Sequence, residues 1–99
     1  MIQGTTPTHT FNVGIDTGNI DALRITYKQG SNIILTKEKG DCTLGEKQIT
    51  CKLSQEETLR FQSNVDVRMQ IRIRTNDGEA IASKIFKAPV YAVLDKVVI

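Results

Sequence analysis

The stretch Val65-Asp66-Val67-Arg68-Met69-Gln70-Ile71-Arg72-Ile73-Arg74-Thr75-Asn76-Asp77-Gly78-Glu79-Ala80-Ile81 decides the fold. Val65, Val67, Met69, Ile71 and Ile73 fall on one side of an extended chain, and Asp66, Arg68, Gln70, Arg72 and Arg74 fall on the other. An apolar/polar period of two marks a strand with one face on a core and one in water. Asn76-Asp77-Gly78 follows as a three-residue hairpin loop with Gly78 in the left-handed region. That loop sets Ile73 opposite Ile81 and Met69 opposite Ile85, whereas a two-residue loop would set Ile71 against Lys84. The three-residue register keeps apolar against apolar. It also places Arg72 beside Ala82, Gln70 beside Lys84 and Arg68 beside Phe86 on the outer face.

Working outward, the same alternation recurs in short runs bounded by Gly, Asn and Asp. Strands are expected near Thr8 to Val13, Ala22 to Gln29, Asn32 to Glu38, Asp41 to Leu44, Gln48 to Leu53, Val65 to Thr75 and Glu79 to Lys87. Composition agrees, since Thr, Val and Ile number 30 against 11 Ala and Leu, and β-branched side chains suit a pleated surface. One link differs: Ser54-Gln55-Glu56-Glu57 fits a capping box and should start a short helical turn that brings Leu59 and Phe61 back to the core. About seven strands in 99 residues, with one helical turn between two of them, predict an all-β fold, an immunoglobulin-like antiparallel β-sandwich. A small barrel is the alternative. Residues 1–99 read as a single domain, for no repeat or linker marks a second unit.

The balance of 13 basic against 11 acidic residues, with 28 Val, Ile, Leu and Phe, excludes a disordered chain. No apolar run reaches the roughly 18 residues of a membrane span, and the first residues carry no charged or apolar leader pattern, so a cytosolic or virion-borne protein is expected.

Chemistry-bearing residues are sparse. Cys42 and Cys51 flank the Gly45-Glu46-Lys47-Gln48 turn, and a four-residue loop would set them directly opposite one another. Two reduced thiols on a core face are expected, with a disulfide as the alternative. His9 is the one histidine, too few for a zinc site or a nucleophilic pair, and the turn glycines match no phosphate-binding loop. No catalysis, cofactor, metal or small-molecule substrate is expected. The outer row Arg68, Arg72, Arg74 and Lys84 is a candidate interaction surface, because alternate strand positions lie roughly 7 Å apart, near the phosphate spacing of nucleic acid. A net charge of +2, five aromatics and no Trp argue against stacking platforms for bases. The final stretch, residues 88–99, is apolar, with Val90, Val93, Leu94 and Val97 at helical spacing; it reads either as a final helix or strand closing its own core or as an arm that docks on a partner.

Gly4-Thr5-Thr6-Pro7-Thr8-His9-Thr10-Phe11, Leu23-Arg24-Ile25-Thr26-Tyr27, Leu53-Ser54-Gln55-Glu56-Glu57-Thr58-Leu59 and Val93-Leu94-Asp95 through Ile99 together resemble a family of small uncharacterised prophage-encoded proteins found among phage structural and packaging genes. The resemblance spans almost the whole chain and implies a virion or assembly role in the bacterial host cytoplasm, with phage structural proteins or a second copy as partner. It supplies no active-site motif. The Cys42/Cys51 pair and Ala88-Pro89 lie outside the family pattern. Two functions follow as expectations: a protein-interaction module of the phage particle, or a nucleic-acid-binding accessory using the basic strand face.

Overall fold

Two antiparallel sheets carry the chain in a computed structural model that describes residues 1–99. The strands are β1 (Thr8–Asn12), β2 (Ile20–Gln29), β3 (Asn32–Glu38), β4 (Thr43–Gly45), β5 (Gln48–Lys52), β6 (Val67–Thr75), β7 (Ala80–Ala82) and β8 (Phe86–Ala88), with helix α1 (Gln55–Leu59) between β5 and β6. One sheet runs β1-β5-β4, and the other runs β3-β2-β6, with both β7 and β8 on the far side of β6. In immunoglobulin lettering this is B-E-D facing C′-C-F-G, with hairpins C–C′, D–E and F–G and every other connection crossing between sheets. The fold is therefore an immunoglobulin-like sandwich in which the place beside strand B, where strand A lies in the full fold, is empty.

Local chemistry accounts for the joints. The Ser54 hydroxyl accepts from the Glu57 amide at 3.1 Å, and the Glu57 carboxylate accepts from the Ser54 amide at 2.9 Å, which starts α1 at the predicted capping box. Gly78 takes φ +89°, the left-handed geometry the three-residue loop requires, and Thr75 pairs across the loop with Glu79. Between the sheets Ile25, Tyr27, Ile49, Cys51, Leu53, Phe61 and Val67 have at most 1% of their surface exposed. Tyr27 meets Phe61 edge to face, with ring centroids 5.9 Å apart.

Ile73 faces Ile81 and Arg72 faces Ala82, as the loop length predicts, but the register then shifts: Met69 faces Phe86 rather than Ile85, and Arg68 faces Lys87 rather than Phe86. The predicted last strand is thereby split into β7 and β8, giving eight strands rather than seven. The cause is a bulge at Ser83. Its amide donates to the Ile71 carbonyl at 2.9 Å, but the Ile71 amide donates to the Ser83 hydroxyl at 3.1 Å instead of to its carbonyl. That carbonyl is turned aside to the Gln70 side-chain amide at 2.9 Å. One residue is left over, so Phe86 rotates to the inner face and Ile85 to the outer, where it is 55% exposed.

The last stretch forms no helix. Val90 is buried, its carbonyl taking the Asn64 amide, and Tyr91 pairs in parallel with Ile2. Beyond Val93 the side chains turn to solvent: Leu94 and Ile99 are fully exposed. Pro89 precludes a helical run-in, and the Asp95 carboxylate takes the Val97 amide at 3.1 Å in a local turn that competes with the helix.

Candidate functional site

The empty strand-A place is an open groove of about 600 Å³ between the edge of β1 and the edge formed by β7 and β8. Phe11 and Val13 form one wall, Met69, Ile71 and Ile73 the floor, and Ile81 and Phe86 the other wall. The bulge at Ser83 makes this site, because in the unshifted register Phe86 would point outward. Turned inward, its ring lies 6.1 Å from that of Phe11 and closes one end, while the Lys84 ammonium rests 5.6 Å from its centre.

Both rims carry unpaired main chain. The Pro7 carbonyl accepts from Leu53 and the Val13 amide donates to Lys47, so the odd-numbered residues of β1 direct their backbone groups to β5. Those of Thr8, Thr10 and Asn12 face the groove instead. On the opposite rim Thr75 and Ser83 donate across the β6–β7 ladder, which leaves Ala80 and Ala82 with their backbone groups directed away from β6. Two open edges flanking an apolar floor are the geometry that accepts an added strand.

His9 is the only titratable side chain lining the groove. Its Nδ1 lies 2.8 Å from the buried Tyr27 hydroxyl. Burial, aided by the positive N-terminus, holds the imidazole below its ordinary pKa, so the groove is uncharged at neutral pH. Burial likewise pushes the Tyr27 phenol upward, which keeps it a neutral partner.

Between edge strand β3 and α1 lies a half-buried ion pair that strand periodicity does not disclose. Lys37 points inward from β3 and meets Glu57 of α1 at 2.6 Å, with side-chain exposures of 12% and 19%. Burial alone would raise the Glu57 carboxyl, but the Lys37 ammonium and the Ser54 amide outweigh it and hold the group below the usual range. The β2–β3 bulge at Tyr27/Lys28 brings Lys37 inward, a shift with no signature in the run Asn32 to Glu38.

The predicted interaction residues are not brought together. Arg74 is bound to Asp21 at 2.7 and 3.0 Å, Arg68 donates to the Gly30 carbonyl at 2.6 Å, and Lys84 turns over Phe86. Arg72 stands beside Arg24, which reaches Glu38 at 3.3 Å. The face is a mosaic of both signs, not a row of free guanidinium groups. At the C-terminal end Val90 is taken up by the core and Val93 is half-buried, its amide directed to the Gln3 side chain, whereas Leu94 and Val97 stay open to solvent.

No three His, Cys, Asp or Glu side chains converge into a metal site, and no helix is long and apolar enough to cross a membrane. The groove itself was hidden from sequence inspection because it depends on one bulge and on the route of residues 1–7. Comparison with family models, curated proteins and solved structures yields no match to this chain.

Proposed function

We propose that this protein is a non-enzymatic protein-interaction module, a structural or assembly-accessory component of a phage or prophage particle, and that it binds an extended apolar strand of a partner in the groove between β1 and β7–β8. One observation carries the reading: an uncharged apolar floor lies between two rims of unpaired backbone, in the place where the full fold holds its own strand A. A donated strand would add main-chain hydrogen bonds on both rims and set alternate side chains on Phe11, Ile71 and Phe86. The resemblance to prophage proteins supports phage structural proteins as the partner class. The nucleic-acid reading has no comparable support, because Arg74 is held by Asp21, Arg68 by the Gly30 carbonyl and Lys84 by the Phe86 ring, which leaves Arg72 alone of the four without a partner.

The test uses a labelled eight-residue peptide alternating Val and Thr, followed by fluorescence anisotropy. Binding is expected to wild type, to vanish when alternate peptide amides are N-methylated, and to vanish in Ile81→Asp, whose 39%-exposed side chain can change without unfolding the domain. Binding that survives both changes would overturn the groove assignment. In purified particles, wild type should co-sediment and Ile81→Asp should not; equal recovery of both would separate the particle role from the groove.

A further inference from the structure

We propose that Cys42 and Cys51 form a closable thiol pair, an intramolecular disulfide site on the inner face of the β1-β5-β4 sheet. Both are free thiols in this structure. The β4–β5 ladder ends at Thr43 and Thr50, and its register carried one step further sets Cys42, the residue just before β4, opposite Cys51. Cys51 directs its own backbone groups to His9 of β1, so in the continued register the Cys42/Cys51 position falls in the non-hydrogen-bonded class. In such pairs the Cα atoms lie about 4.5 Å apart with the side chains close, inside the roughly 4.4 to 6.8 Å that a disulfide spans. Both side chains lie on the inner face of the sheet, and the Cys42 thiol donates to the Glu38 carbonyl at 3.4 Å. Burial keeps both thiols above the ordinary range, Cys51 at about 12, so closure is a slow step that needs an oxidant.

Peroxide is the oxidant class that fits. Cys42 is half-buried at the end of the turn Lys39–Asp41, whereas Cys51 is 1% exposed, so the first attack falls to Cys42. Its thiolate takes one peroxide oxygen, the O–O bond breaks, and hydroxide leaves to become water with the thiol's proton. Cys51 then attacks the resulting sulfenic acid, the S–S bond forms, the S–O bond breaks, and a second water leaves with the proton of Cys51. Two thiols lose two electrons in all, and one peroxide becomes two waters. The link would bind the turn before β4 to β5 and stiffen a sheet whose outer strand, β1, is a rim of the groove. The pair stands independently of what the groove binds.

The full chain is treated with hydrogen peroxide, quenched by alkylation in denaturant and weighed intact. The expected result is a monomer lighter by two hydrogen atoms with neither thiol alkylated. Its melting midpoint should rise on the order of 10 °C, reversed by reductant. Cys42→Ser and Cys51→Ser, melted alongside, should each lose that rise. Closure in wild type should quicken steadily with pH through the alkaline range, as raised thiols require. Two alkylatable thiols after treatment, disulfides only between chains, or Cys42 carried to sulfinic acid beside a free Cys51 would each overturn the pair.

Discussion

Ile71 and Arg72 are neighbours in β6 and should respond oppositely to the same substitution. Ile71 is 3% exposed and faces Ile25, itself fully buried, whereas Arg72 lies on the outer face beside Arg24 and Ala82. Replacing Ile71 with Asp removes a buried aliphatic side chain, which costs about 3 kcal/mol in lost transfer alone. It also leaves a carboxylate on an apolar floor with no cation in the groove lining, which adds several kcal/mol. The sum rivals the roughly 5 to 15 kcal/mol that typically holds a domain folded, so Ile71→Asp should be unfolded or nearly so at neutral pH and should recover partly in acid, as the carboxyl protonates. Arg72→Asp exchanges a like-charge neighbour of Arg24 for an opposite one, and its stability should stay within about 0.5 kcal/mol of wild type. Urea unfolding followed by circular dichroism measures both. Equal midpoints for the two variants, or an Ile71→Asp protein that melts like wild type, would refute the face assignment of β6 and with it the groove floor.

The Lys37–Glu57 pair is partly buried, so Lys37→Met alone should cost about 1 to 2 kcal/mol, between an exposed and a buried pair, while Lys37→Met/Glu57→Gln should recover most of it, since the side-chain oxygen kept by Glu57→Gln still accepts from the Ser54 amide. Glu57 titrates below its ordinary value in the fold, so its contribution is whole above about pH 4.5 and is lost as pH falls through the lowered pKa; His9, also lowered, weakens the fold as pH drops below about 6.5, because the unfolded chain protonates first. Acid urea titrations should therefore show stability falling in both windows, with the carboxylate step absent from the double variant. Deleting residues 94–99 should leave the thermal midpoint within a few degrees, while deleting residues 90–99 should lower it by the equivalent of roughly 2 to 4 kcal/mol through loss of Val90 and of the Tyr91 bonds to Met1 and Gln3. Melts of the two proteins check this.

What could be read from the chain divides along the range of the forces involved. Local devices were legible: the capping box at Ser54, the hairpin at Gly78 and the pairing of Leu44 with Ile49 that opposes the two cysteines. Each depends on residues within about ten positions of one another, and alternation in Val67 to Thr75 needs only a core on one side to be satisfied. The C-terminal stretch shows the limit of that kind of inference. Its helical spacing is real, yet about ten residues make a marginal helix, and Val90 gains more by filling the core beside the backbone of Asn64 than by joining a helix face.

The groove depends on a contest that no window of sequence contains. Continuing the β6–β7 ladder past Ser83 would set Ile85 opposite Met69 and turn Phe86 to water. Bulging at Ser83 gives up one carbonyl bond in the ladder, and the Ser83 hydroxyl and the Gln70 amide make good that loss. In return an aromatic ring reaches Phe11, on a strand of the other sheet and 75 positions earlier, while the smaller Ile85 is left exposed. Ser83→Ala would remove the hydroxyl's compensation while leaving the apolar choice between Phe86 and Ile85 intact. The same bulge that improves the packing of Phe86 also ends β7 after Ala82, so that the outer rim stays short and open. Packing across the sandwich thus decides the register of its last strand, and the register in turn decides that the strand-A place is a groove lined by aromatic rings rather than a flat edge.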